Sequence, residues 1–232
     1  KYKDKKIIVA GCLAQRYSRE LASEIPEVDA IIGTEYYTEI DKIVEGCLRG
    51  DRYVCNDRLA WQADRTLPRI LTTPKGTAYL KIAEGCDNFC SYCAIPQIRG
   101  RYRSRTIDSL YEEALSLASM GVKELIIIAQ DISRFGYDMG NKNALIELLN
   151  KLSNIDSIRW IRLLYCYPDR IDMNLIRAIE DNEKICHYID IPIQHINQNI
   201  LKAMNRHTTP DDIKKVLDNS RSTIPDRVIR TS

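Results

Sequence analysis

Apolar residues fall in short unbroken runs that alternate with longer stretches where they recur every three or four positions. Residues 6–10, Lys-Ile-Ile-Val-Ala, form the first run, ending at Gly11-Cys12. A polar, helix-compatible stretch extends to Pro26, and Val28 to Ile32 is the second run, stopped by Gly33. Ile40, Ile43, Val44 and Cys47 then keep helical spacing as far as Gly50. Strand–helix–strand–helix is the grammar of a small open α/β domain, which we assign to residues 1–50. Residues 51–76 contain Pro68, Pro74 and Gly76 with little periodicity and are expected to be a linker.

From Tyr79 the alternation resumes and repeats. Tyr79 to Ala83 is an expected strand. Thr106 to Met120 is an expected helix, with Thr106 as its cap and Gly121 past its end. Leu125 to Ala129 is an unbroken apolar run, predicting a strand buried on both faces. Leu145, Leu148, Leu149 and Leu152 mark the next helix, and Trp160 to Tyr165 the third strand. Ile171, Leu175, Ile176 and Ile179 mark the third helix, and Tyr188 to Ile193 the fourth strand. Two helical stretches follow, the second opening on Thr209-Pro210, before a fifth strand begins at Arg227. This repetition predicts a parallel sheet, open or closed into a barrel, over residues 77–232. The active site is then expected at the carboxyl ends of the strands.

Composition narrows the classes. The 232 residues are 44% apolar and 28% charged, as in a folded domain, and the net charge of +2 demands no nucleic-acid partner. No apolar run has the length of a membrane span. Eight cysteines favour metal or redox chemistry in a cytoplasmic chain. The chain opens on Lys1-Tyr2-Lys3 and closes on what reads as the start of a strand, so it is expected to be an internal piece of a longer protein, cut within strand five.

The chemistry concentrates in Cys86-x-x-x-Cys90-x-x-Cys93, directly after the strand at Tyr79. Three thiolates on one short loop can hold three irons of a cubane cluster and leave the fourth iron open. A zinc-stabilised binding module is the non-enzymatic alternative. It is the weaker fit: the three histidines all lie beyond residue 186, and none has a partner at His-x-x-x-His spacing. Other polar residues follow the strand ends: Gln130 and Asp131, Tyr165 to Pro168, and Gln194 with His195. Cys47, Cys166 and Cys186 read as small buried residues, and His187 and His207 as ordinary histidines. Ile98 to Arg105 is basic with one aromatic and, read by itself, could touch RNA.

Tyr79-Leu80-Lys81-Ile82-Ala83-Glu84-Gly85-Cys86, with Ile95-Pro96, Arg99-Gly100 and Arg103-Ser104-Arg105, resembles the methylthiotransferase branch of radical S-adenosylmethionine enzymes. Gly11-Cys12-Leu13-Ala14-Gln15 resembles a cysteine motif of that branch's amino-terminal domain. Gln130-Asp131, Leu164-Tyr165-Cys166-Tyr167-Pro168 and Gln194-His195 are similar to the RimO type, which modifies an aspartate of a small-subunit ribosomal protein. The competing type modifies a tRNA adenosine.

The resemblance implies an α/β fold, a partial (β/α) barrel radical core preceded by part of a small open α/β domain. It implies a [4Fe-4S] cluster on Cys86, Cys90 and Cys93, and S-adenosyl-L-methionine lined by Tyr92, Gln130, Gln194 and His195. A second [4Fe-4S] cluster would use Cys12 and two upstream cysteines. No catalytic residue is implied beyond the cluster ligands. An electron donor such as flavodoxin or ferredoxin, a ribosomal-protein substrate and a monomeric, cytoplasmic enzyme complete the expectation.

Overall fold

The computed structural model describes residues 5–57 and 69–232. Its backbone divides into two units. Among the described residues, one contains residues 5–57 with Ala94–Gly100, and the other contains 69–93 with 101–232. Lys1-Tyr2-Lys3 and Pro68 lie outside the described residues.

In the first unit, β1 (Ile8–Ala10) is followed by two short helices, α1 (Cys12–Arg16) and α2 (Ser18–Glu24), where the sequence suggested a single helical stretch. Tyr17 leaves helical geometry between them, at φ −125° and ψ 35°. β2 (Ala30–Ile32) leads through a 3-10 turn, Tyr36–Glu39, into α3 (Ile40–Arg49). Gly50 ends α3 at φ 102°, a left-handed conformation that glycine adopts without a Cβ clash. Ile43 and Cys47 of α3 pack on Ala30 and Ile32, so Cys47 is core, as expected.

The linker reading of residues 51–76 requires correction. Tyr53–Cys55 form β3, which pairs parallel to β2 and completes a sheet ordered β1-β2-β3. Three residues are too few to show a period, and pairing with β2 makes them a strand. The described structure also groups α4 (Ile95–Arg99), inside the stretch assigned to the radical core, with this first unit.

The second unit is built on five strands: β4 (Thr77–Lys81), β7 (Glu124–Ile128), β8 (Trp160–Leu163), β9 (Ile185–Ile191) and β10 (Val228–Thr231). A short ladder of β5 (Ala83–Glu84) and β6 (Arg103–Ser104) lies just beyond β4. All five strands are parallel, and their spatial order follows their order in the chain. A doubly wound sheet reverses direction at a switch point; this one never does, which is how a (β/α) barrel winds. β4 and β10 pair with one neighbour each, so the barrel is partial.

Helices α5 (Ile107–Ser119), α6 (Ala144–Ser153), α7 (Met173–Glu180), α8 (Gln198–Ala203) and α9 (Pro210–Thr223) fill the crossovers. Their starts are written in the sequence. Thr106 accepts from Ser109 N at 3.3 Å, Asp172 from Leu175 N at 2.9 Å, and Thr209 forms a capping box with Asp212. Leu110, Leu117, Leu148, Leu149, Ile176 and Ile179 bury against Leu80, Leu125, Ile127, Ile161 and Leu163. β7 corrects its expectation: Leu125 and Ile127 are buried, but Ile126 and Ile128 are only half-buried. The helices cover one face of the sheet, and Tyr79 and Trp160 remain exposed on β4 and β8. Among the described residues, no helix is long and apolar enough to cross a membrane.

Candidate functional site

The cysteine loop leaves the sheet after β4. Arg105 N donates to Ile82 O at 2.9 Å, and β5 and β6 pair antiparallel, so the loop is closed at its base. Arg105 is buried and acts as a structural anchor. Its Nη1 donates to Glu113 at 2.5 Å and to Lys81 O at 3.1 Å. Along the loop, Gly85 and Phe89 both take left-handed φ, 79° and 47°. Cys93 N donates to Cys90 O at 2.9 Å, fixing the turn that holds the last two cysteines.

The segment after α8 grips this loop from outside. Ser91 N donates to Met204 O at 3.0 Å and Asn205 Nδ2 to Phe89 O at 2.8 Å. Arg206 is 7% exposed. Its guanidinium lies 4.2 Å from the centre of the Tyr167 ring. It donates to Pro192 O at 2.5 Å, to the Tyr92 hydroxyl at 3.4 Å and to Cys90 Sγ at 3.9 Å. Sequence reading missed Arg206, because 116 residues separate it from Cys90 and no local pattern marks it.

The strand ends supply the second ring of the site. Asp131, 1% exposed, accepts from Ser133 Oγ at 2.5 Å, Asn88 Nδ2 at 3.0 Å and Arg170 Nη1 at 3.4 Å, and its carbonyl accepts from the Tyr102 hydroxyl at 2.8 Å. It therefore ties the cysteine loop to the ends of β7 and β8. Burial pushes the Tyr102 hydroxyl pKa upward, keeping it a donor. Gln130 Oε1 and Asn88 Oδ1 are shielded from solvent and make no hydrogen bond among the described residues. Tyr165 takes φ 63°, and Asp190 receives its N–H at 3.1 Å.

The sequence-derived residues are not equivalent. Cys86 is buried, Cys90 and Cys93 are half-buried, and Tyr92 is exposed beside Arg206. Gln194 is exposed at φ 67°, its N–H held by Ser232 O at 2.8 Å. His195 Nδ1 accepts from Asn197 N at 2.9 Å, which leaves Nε2 as its remaining polar atom. Cys12 is exposed in the first unit, with Arg99 Nη2 at 3.6 Å from its sulfur.

Desolvation pushes the Cys86 thiol up to about 11. As a thiol it sits protonated in this pocket at neutral pH, and a metal must displace that proton to bind.

The Radical SAM superfamily model matches residues 80–231. Ribosomal protein uS12 methylthiotransferase RimO of Clostridioides difficile strain 630 is 49% identical over 98% of this chain and 51% of its own length. Its counterpart in Desulforamulus reducens is 49% identical over 99% of this chain and 52% of its own length. The chain thus spans about half the length of the curated relatives it matches. Among solved structures, the cobalamin-dependent S-adenosylmethionine radical enzyme OxsB shares the fold at TM-score 0.66 and 12% identity. That match covers 97% of this chain and 36% of the other. The methyltransferase TsrM from Kitasatospora setae matches at TM-score 0.52 and 17% identity, over 67% of this chain and 30% of the other.

Members of this superfamily use a [4Fe-4S] cluster and S-adenosyl-L-methionine. The residues here fit that group: three thiols on one loop, a buried guanidinium at one sulfur, and orphaned amide oxygens at Asn88 and Gln130. The donor set, the chain-ordered parallel sheet and a family match over well over half the residues agree, and the chain belongs to the radical S-adenosylmethionine superfamily.

Proposed function

We propose that this chain carries the radical core of a methylthiotransferase that modifies an aspartate β-carbon of ribosomal protein uS12. Identity near one half over nearly the whole chain to relatives of that name is the observation that carries the reading. Gln130-Asp131, Tyr165 and Gln194-His195 support it.

Cys86, Cys90 and Cys93 hold the cluster in this proposal, and Cys12 serves as one ligand of a second cluster. When bound, the cluster and S-adenosylmethionine supply an electron and a 5′-deoxyadenosyl radical, chemistry no side chain can replace at an unactivated C–H bond. The chain's own residues position and shield. Arg206 fixes Tyr92 and the Cys90 sulfur, and Asp131 locks the loop to the sheet. Gln130 offers its unpaired Oε1, and Gln194 and His195 line the same strand ends. We place the first unit, residues 5–57 with Ala94–Gly100, in a small cluster-bearing domain, and take the second unit, 69–93 with 101–232, as the core. The enzyme is proposed to be monomeric and cytoplasmic, and reduced by a flavodoxin or ferredoxin.

Mass spectrometry of cells lacking the gene tests the substrate. Loss of the methylthio mass on uS12, with methylthio-adenosine in tRNA intact, is expected. The reverse pattern would establish the tRNA reading instead. Zinc without sulfide in the purified protein would establish the non-enzymatic module.

A further inference from the structure

At the amino-terminal end of the five-stranded sheet, opposite the cysteine loop, β7, β8 and β9 begin around an open cleft. β9 enters it irregularly. Ile161 pairs with Ile185, but Leu163 pairs with Ile189, so a two-residue step on β8 faces a four-residue step on β9. Adjacent side chains of a regular strand point to opposite faces. This bulge instead lets both Cys186 and His187 line the cleft. Cys186, expected to be buried, is therefore only half-buried.

His187 stands between two carboxylates. Asp226 Oδ1 lies 2.5 Å from Nδ1 and Glu180 Oε2 lies 3.7 Å from Nε2. With Asp226 accepting the Nδ1 proton, Nε2 presents its lone pair toward Glu180. A carboxylate holding the far nitrogen of an imidazole is the usual support for a metal-binding histidine. Glu180 Oε2 is shielded from solvent and makes no hydrogen bond among the described residues. Its 3.7 Å distance from Nε2 is too long for one. Two donors on one tetrahedral zinc, with bonds of 2.0–2.2 Å, stand about 3.4 Å apart, so the gap has the dimensions of a shared ion. Glu183 and Cys186 line the same cleft, outside the Glu180, His187 and Asp226 group whose donor atoms lie within 4.8 Å of one another. The cation that faces it, Arg162, is already neutralised by Glu124 at 2.6 Å.

We propose that Glu180 and His187, with Asp226 behind the imidazole, form a binding site for a first-row divalent cation of the zinc class, at the end of the barrel away from the cysteine loop. Nitrogen and carboxylate donors with one thiol nearby suit zinc better than magnesium or calcium. The site does not depend on the proposed activity.

The test uses the intact, cluster-loaded protein, equilibrated anaerobically with micromolar zinc chloride and passed through gel filtration. Metal analysis is expected to find one zinc per chain in the wild type. His187→Gln and Glu180→Gln should lose it with their iron content unchanged, and Asp226→Asn should bind zinc about 10–100-fold more weakly. Equal zinc in wild type and variants, or none in the wild type, would overturn the site and leave an imidazolium bridging two carboxylates. Should a variant fail to fold, zinc-edge X-ray absorption of the wild type decides. Imidazole with oxygen neighbours supports the site, and an all-sulfur shell sinks it.

Discussion

The same strands end in two different kinds of polar structure. At the carboxyl ends, polar groups are buried and the backbone is strained. Asp131 and Asp190 are almost fully buried, and Phe89, Tyr165, Gln194 and Asn205 all take positive φ. Among the described residues no other non-glycine does so, and each lies in the cysteine loop, beyond a strand end or in the segment gripping that loop. At the amino ends, Glu124–Arg162 and the His187 carboxylates face an open cleft, and the backbone irregularity there is a bulge with no left-handed residue. Left-handed non-glycine residues persist only where their surroundings over-determine them, and they gather where a ligand must be met by fixed groups. The proposed radical chemistry belongs to the strained, buried end, and the open end is left for an exchangeable ion.

The sharpest way to break this division is Cys90→Ala. It should abolish 5′-deoxyadenosine formation in the reconstituted protein with dithionite and S-adenosylmethionine, while His187→Gln keeps the rate within about twofold of wild type. The His187 change alters a group outside the proposed cluster shell, whose own outer-sphere effects are about 10–100-fold. Loss of product in His187→Gln with retained iron would erase the distinction between the ends.

Alkylation of the metal-free protein gives the next largest effect. The raised pKa of Cys86, about 11, leaves roughly one thiolate in a thousand at pH 8. Its reaction with iodoacetamide, followed by peptide mass spectrometry, should therefore rise about tenfold per pH unit until pH approaches that value. A plateau near pH 8 would show that the pocket does not desolvate the sulfur.

Asp131→Ala should cost about 1–3 kcal/mol in urea unfolding, because it leaves the buried Asn88 amide without its acceptor, while Arg170 keeps Asp169 at 3.1 Å. Arg206→Gln removes a positive donor from the Cys90 sulfur. The reduced cluster, the more negative state, loses more stabilisation, so its potential should fall by on the order of tens of millivolts in anaerobic redox titration. Arg101→Ala is the small-effect control. Its side chain is 75% exposed, and its pair with Asp87 should be worth under about 1 kcal/mol.

Local order was legible because local forces decide it. The caps at Thr106 and Thr209 and the apolar stripes of α5, α6 and α7 lie where their spacing places them. Cys86-x-x-x-Cys90-x-x-Cys93 marked the proposed cluster site for the same reason: candidate ligands on one loop are neighbours in sequence as well as in space. Gln130-Asp131 was visible as a motif, yet its division of labour was not. Gln130 keeps an unpaired oxygen, while Asp131 is a buried hub between segments about 40 residues apart.

Tertiary structure alone decided the rest. β3 is a strand because β2 lies beside it, Arg206 meets Cys90 across 116 positions, and β8 sets the register that bulges β9 and turns Cys186 and His187 into one cleft. Side-chain periodicity and capping act within a few residues and are written in order along the chain. Register and the meeting of distant charges depend on how the sheet closes, which no short window of sequence contains.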